Sequence, residues 1–144
     1  MSTLSIYTDI KNALRDQVSL HLQDTDYSNI DVFGEAYQDL THFPAVTLEI
    51  KRRRKPIRGL GVRELQMDID LWVYTNILDS QEAEEECLTL VDLVEQAIEA
   101  DKSLGGVVDR IDINNDLNFG TVEYGENNFL QGAQIQFTAF KRVP

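Results

Sequence analysis

The sequence predicts an α+β domain: a mainly antiparallel or mixed β-sheet with two α-helices packed on one face. Three observations carry this. Leu65, Met67, Ile69, Leu71 and Val73 alternate with Gln66, Asp68, Asp70, Trp72 and Tyr74, the two-residue period of a strand with one buried face. Ile6, Ile10, Leu14 and Val18 recur every four residues, the period of an amphipathic helix. The order of elements reads helix, two strands, helix, three strands. Helices laid on one face of a mainly antiparallel sheet are the natural packing for that order.

The first helix is expected from about Ser5 to Leu22, with Tyr7 and Ala13 beside its apolar stripe and Asp9, Lys11, Asn12, Arg15 and Asp16 elsewhere. Residues 23 to 44 are polar and irregular, end at Pro44, and leave room for a short strand around Val32–Phe33. Val46, Leu48 and Ile50 then alternate with Thr47 and Glu49. A basic run follows that contains Pro56, Gly59 and Gly61, residues that break regular structure. The two flanking strands are therefore expected to form a hairpin with a long basic connection.

The second helix is expected to start at Asp79, with Glu82 three residues on as in a capping box. Ala83, Cys87, Leu90, Val91, Val94 and Ile98 form its buried stripe. Glu82, Glu84, Glu85 and Glu86 crowd its first two turns, where the helix dipole favours anions. Gly105–Gly106 closes the segment. Three strands follow: Val108 to Ile113, Thr121 to Tyr124, and Ala133 to Lys141. In the last, Ala133, Ile135, Phe137 and Ala139 face inward and Gln134, Gln136, Thr138 and Phe140 outward.

At 144 residues the chain has the size of a single domain, residues 1–144, without repeats, low-complexity segments or linkers. Such a domain buries roughly 68–70% of the surface its unfolded chain exposes. The single cysteine, Cys87, excludes an intrachain disulfide. Met1 to Ile10 lacks the apolar core of a signal peptide, and no run reaches the length of a membrane span. The expected location is the cytosol of the cell that makes the protein.

The formal net charge of −12 disfavours general binding to phosphate backbones. Its distribution is uneven. Lys51, Arg52, Arg53, Arg54, Lys55, Arg58 and Arg63 are seven of the 13 basic residues, and no Asp or Glu lies among them. The rest of the chain sets six basic residues against 25 acidic ones. Three readings of the run compete: phosphate contacts, a protein interface in which Arg pairs with carboxylates, or a solvated loop. The acidic body favours a protein partner, such as an adjacent identical subunit. Trp72, Tyr74 and Phe140 project from the face the helices are not expected to cover, and an exposed aromatic row also marks an interface.

No catalytic, cofactor-binding or metal-binding motif emerges. His21 and His42 lack partners at ligand spacing. Cys87 falls on the apolar stripe and reads as a structural thiol. Gly59-Leu60-Gly61 has no strand-to-helix context and reads as a hairpin tip. Asp68 and Asp70 share one strand face and are close enough for acid/base work. An interface-facing or solvated sheet surface is the simpler reading of that pair.

Several stretches bear a resemblance. They are Ile6-Tyr7-Thr8-Asp9-Ile10, Phe43-Pro44-Ala45-Val46-Thr47-Leu48, Leu71-Trp72-Val73-Tyr74, Leu93-Val94-Glu95-Gln96-Ala97-Ile98, Leu104-Gly105-Gly106-Val107-Val108 and Ile135-Gln136-Phe137-Thr138-Ala139-Phe140. Together they span nearly the whole chain, which resembles the tail terminator, or tail completion, proteins of long-tailed bacteriophages. The resemblance implies helices on one side of a mixed sheet and a structural role rather than an enzymatic one. It implies a homo-oligomeric ring, a hexamer, that caps the growing tail tube, stops its polymerisation and docks the tail to the head or neck. The implied partners are the tail tube protein and a head or neck completion protein, with DNA passing through the ring lumen and no membrane or cofactor involved. The implied location is the neck end of the virion tail, after assembly in the host cytoplasm. No functional residue transfers individually, although the basic hairpin is a counterpart of loops that make ring or tube contacts. Two other functions stand beside this one: a neck or head-completion adaptor, and a small acidic enzyme or regulatory domain using Asp68 and Asp70.

Overall fold

The computed structural model describes residues 3–23, 25–27, 31–32, 44–57, 59, 61–75, 80–123 and 129–143. The elements are α1 (Thr3–Leu22), β1 (Asp31–Val32), β2 (Ala45–Arg54), β3 (Arg63–Thr75), α2 (Ser80–Ala100), β4 (Arg110–Ile113), β5 (Asn118–Glu123) and β6 (Phe129–Val143). The expected α+β class is what the chain adopts. Strands β2 to β6 pair antiparallel, and the two-residue β1 adds a parallel pairing to β2. The sheet order is β1-β2-β3-β6-β4, with β5 also on β6. Thus β6 is shared on its second edge, its first half by β5 and its second half by β4.

Burial follows the alternation. Leu65, Met67, Ile69, Leu71 and Val73 of β3 and Ala133, Ile135, Phe137 and Ala139 of β6 are buried on one face. They join Ile6, Ile10, Leu14 and Val18 of α1 and Cys87, Leu90, Val91 and Val94 of α2 in a single core. The helix α2 lies on β3 and β6, and α1 lies against α2. Polar contacts fix that layer. Thr75 Oγ1 donates to the Ala83 carbonyl at 3.2 Å. Gln17 of α1 donates to the carbonyls of Ala97 at 2.7 Å and Asp101 at 3.0 Å, satisfying acceptors that the end of a helix leaves open.

The chain leaves α2 through three successive left-handed residues, Leu104, Gly105 and Gly106, at φ of 52°, 71° and 92°. Asp101 organises this turn. Its carboxylate accepts from the Ser103 hydroxyl at 2.6 Å and from the Gly105 amide at 2.8 Å. These bonds hold its pKa below the ordinary value.

Three expectations need correction. The basic run is not one long connection: Lys51 to Arg54 belong to β2, and only residues 55–62 separate β2 from β3. The last strand is longer than expected, reaching from Phe129 to Val143. The fourth strand begins at Arg110 rather than Val108, because residues 102–109 form the turn after α2. Phe33, His42, Arg58, Asp79 and Tyr124 lie outside the described residues.

Candidate interaction surface

The sheet face away from the helices is polar and ordered in rows, because pairing register aligns outward residues across neighbouring strands. Arg52 of β2, Asp68 of β3, Thr138 of β6 and Asp112 of β4 stand in one row. Asp68 is its hub. Its Oδ1 accepts from Thr138 Oγ1 at 2.8 Å and from an Arg54 guanidinium nitrogen at 3.0 Å, and its Oδ2 accepts from Arg52 Nε at 3.0 Å. Burial alone would raise this carboxyl. The hydrogen bonds from Thr138 and Arg52, with the charges of Arg54 and Arg52, outweigh it and hold the pKa below the usual value.

In the next row Glu49 faces Asp70, which faces Gln136. Asp70 is almost fully buried; its Oδ2 accepts from Gln134 Nε2 at 2.7 Å and lies 3.7 Å from Lys51 Nζ. Lys51 also reaches Glu49 at 3.3 Å. It sits where the β2–β3 register slips between Ile50 and Arg52, a bulge that adds a residue to β2. A third row holds Arg110, whose guanidinium stacks 3.8 Å above the Phe140 ring and lies 3.9 Å from Glu64. Between the Arg52–Arg54 side and Asp112 the face opens into a shallow concavity of about 620 Å³.

The site residues read from the sequence divide accordingly. Lys51, Arg52 and Arg54 are on this face in ion pairs with their own chain, and all three remain exposed. Arg53 is exposed on β2; Lys55 and Arg63 flank the turn, half-buried and exposed respectively. Trp72 is half-exposed on the open face as expected. Tyr74 departs from expectation: it is 3% exposed, its ring stacked on Trp72 at 5.9 Å between centroids. It supports the face from within instead of offering surface to a partner.

Sequence reasoning missed Gln134, Thr138, Arg110 and Glu64 as members of this network. The outward alternation of Gln134, Gln136 and Thr138 was a usable signal; the bonds of Gln134 to Asp70 and of Thr138 to Asp68 join residues 64 and 70 apart in the chain, a register that no local pattern supplies.

Chemically, the arrangement accepts and orients. An Asp68 held ionised by three donors is unsuited to delivering a proton near neutrality. Among the described residues no group of three His, Cys, Asp or Glu could hold a metal ion. Cys87 is buried, and burial, followed by the charge of Glu86, pushes its thiol up to about 12, the opposite of what a nucleophile needs. His21 is exposed in the last turn of α1.

The class these features define is an α+β domain whose open sheet face is an ion-paired, partly aromatic surface. Compared with models of protein families and with curated proteins, the chain matches none.

Proposed function

We propose that the chain is a structural subunit that assembles into a ring, caps the tail tube of a long-tailed bacteriophage, stops tube growth and presents a surface to the head or neck. The observation that carries this reading is one-sided burial. Both helices serve the core on one sheet face, and among the described residues the opposite face, the cationic β2–β3 hairpin and the outer side of α2 bear exposed charged side chains that suit contacts with other proteins. Those surfaces carry opposite charges, which suits repeated contacts between copies. The resemblance described above supplies the particular assembly.

The experiment is removal of the gene from a phage that encodes this chain. Tails are expected to grow past their normal length and to fail to join heads, and supplying the protein should restore both. Tails of normal length that still fail to join would point to a neck adaptor. Normal, head-joined tails would defeat the proposal.

A further inference from the structure

Among the described residues Leu4, Leu20, Ile50 and Phe119 also expose apolar side chains, but two further exposed patches, which the sheet holds apart, have charged surroundings of opposite sign. At the β2–β3 turn, Ile57 is 67% and Val62 39% exposed, with Lys55 and Arg63 beside them. On the outer side of α2, Leu88 is 51% exposed. Glu84, Glu85 and Asp92 are exposed around it, at spacings that put all four on one helix face. Each patch therefore has an apolar centre and a charged rim, and the two rims have opposite signs. The segments repeat the contrast. Lys51 to Arg63 holds seven basic residues and no acid, whereas α2 holds seven carboxylates and no Lys or Arg.

The two patches of one copy cannot meet. Thr75 and Val73, at the end of β3, bond to Ala83 and Cys87 of α2 and so hold the Leu88 region at that end. The turn lies at the other end of β3, and a 13-residue strand spans about 40 Å.

We propose that the β2–β3 turn of one copy docks on the Glu84–Asp92 face of α2 in the next copy, with Ile57 and Val62 against Leu88. The contact joins different patches, so it is heterologous. Such contacts propagate from copy to copy and close into a ring when the rotation allows. The proposal names the subunit contact of the ring proposed above and rests on that reading for the closure.

The test joins the patches covalently. A variant with Ile57→Cys and Leu88→Cys is oxidised at high protein concentration; native Cys87 is buried and takes no part. Disulfide-linked multimers forming a ladder are expected from the double variant, and at most dimers from either single one. Glu84→Lys, Glu85→Lys and Asp92→Lys together should abolish the ladder. Adding Lys55→Glu and Arg63→Glu should restore it, because the signs are then exchanged. Rings seen by electron microscopy without a 57–88 crosslink overturn this contact and leave the ring reading standing. A ladder from copies that do not restore tail length upholds the contact and removes the tail reading. A folded double variant that stays uncrosslinked overturns the contact.

Discussion

Arg52 and Asp68 face each other across β2 and β3, with the guanidinium Nε 3.0 Å from Asp68 Oδ2. The front half of the basic run is thus engaged with its own sheet, together with Arg54 and Thr138. Replacing Asp68 with Ala leaves two Arg side chains repelling each other and a hydroxyl without its acceptor. A loss of about 1–2 kcal/mol is expected, within the range for hydrogen bonds to charged groups once the exposure of the Arg side chains is allowed for. Urea denaturation measures it. An unchanged midpoint would mean that this hub adds nothing to folding. For the same reason, reversing Arg52, Arg53 and Arg54 together would place acid beside Asp68 and damage the monomer, so assembly is better probed at Lys55 and Arg63.

The same carboxylate sets a pH dependence. Its folded pKa lies below the ordinary value of an aspartate. The unfolded chain therefore binds the proton more readily, and the stabilisation is complete above the unfolded value and lost as pH falls through the folded one. Urea midpoints of the native protein should fall below about pH 4, and Asp68→Asn should flatten that part of the curve. Parallel curves for the two proteins would contradict the assignment.

Gln17 reaches from α1 to the carbonyls at the end of α2. Gln17→Ala leaves those part-buried acceptors to water and should cost about 1 kcal/mol. Hydrogen exchange should quicken in the last turn of α2 more than in its centre. Uniform quickening would show that the contact is not local.

Leu104 combines strain with burial, at φ 52° and 2% exposure. Leu104→Gly relieves about 1–2 kcal/mol of backbone strain but gives up roughly 1.5–3 kcal/mol of burial and adds unfolded-state entropy. Burial wins, so the variant should melt lower. Gly106→Ala, at φ 92° with open space around its Cβ position, should also melt lower from strain alone. A rise in melting temperature for either would reverse the balance.

How far these features were legible in the sequence depended on how local they were. The faces of β3 and β6 and the buried stripes of both helices were readable, because periodicity directly encodes which side is covered. The end of β2 was not. Four consecutive basic residues look like a loop, and only pairing with the acidic outer side of β3 makes them a strand. Tyr74 was misjudged because alternation tells which face a residue occupies but not what lies over it. Asp68 was noticed as one of a pair with Asp70, yet its actual partners, Thr138 and Arg52, lie on other strands.

The central claim is that copies of this chain form a ring at the end of a tail tube. The most direct measurement is a cryo-electron microscopy reconstruction of the neck-proximal end of the tail in a phage that encodes it. The account predicts six copies around the tail axis, closing the tube, with the β2–β3 turn of each against α2 of its neighbour. A single copy, a position away from the axis, or absence of the chain from the particle would contradict it.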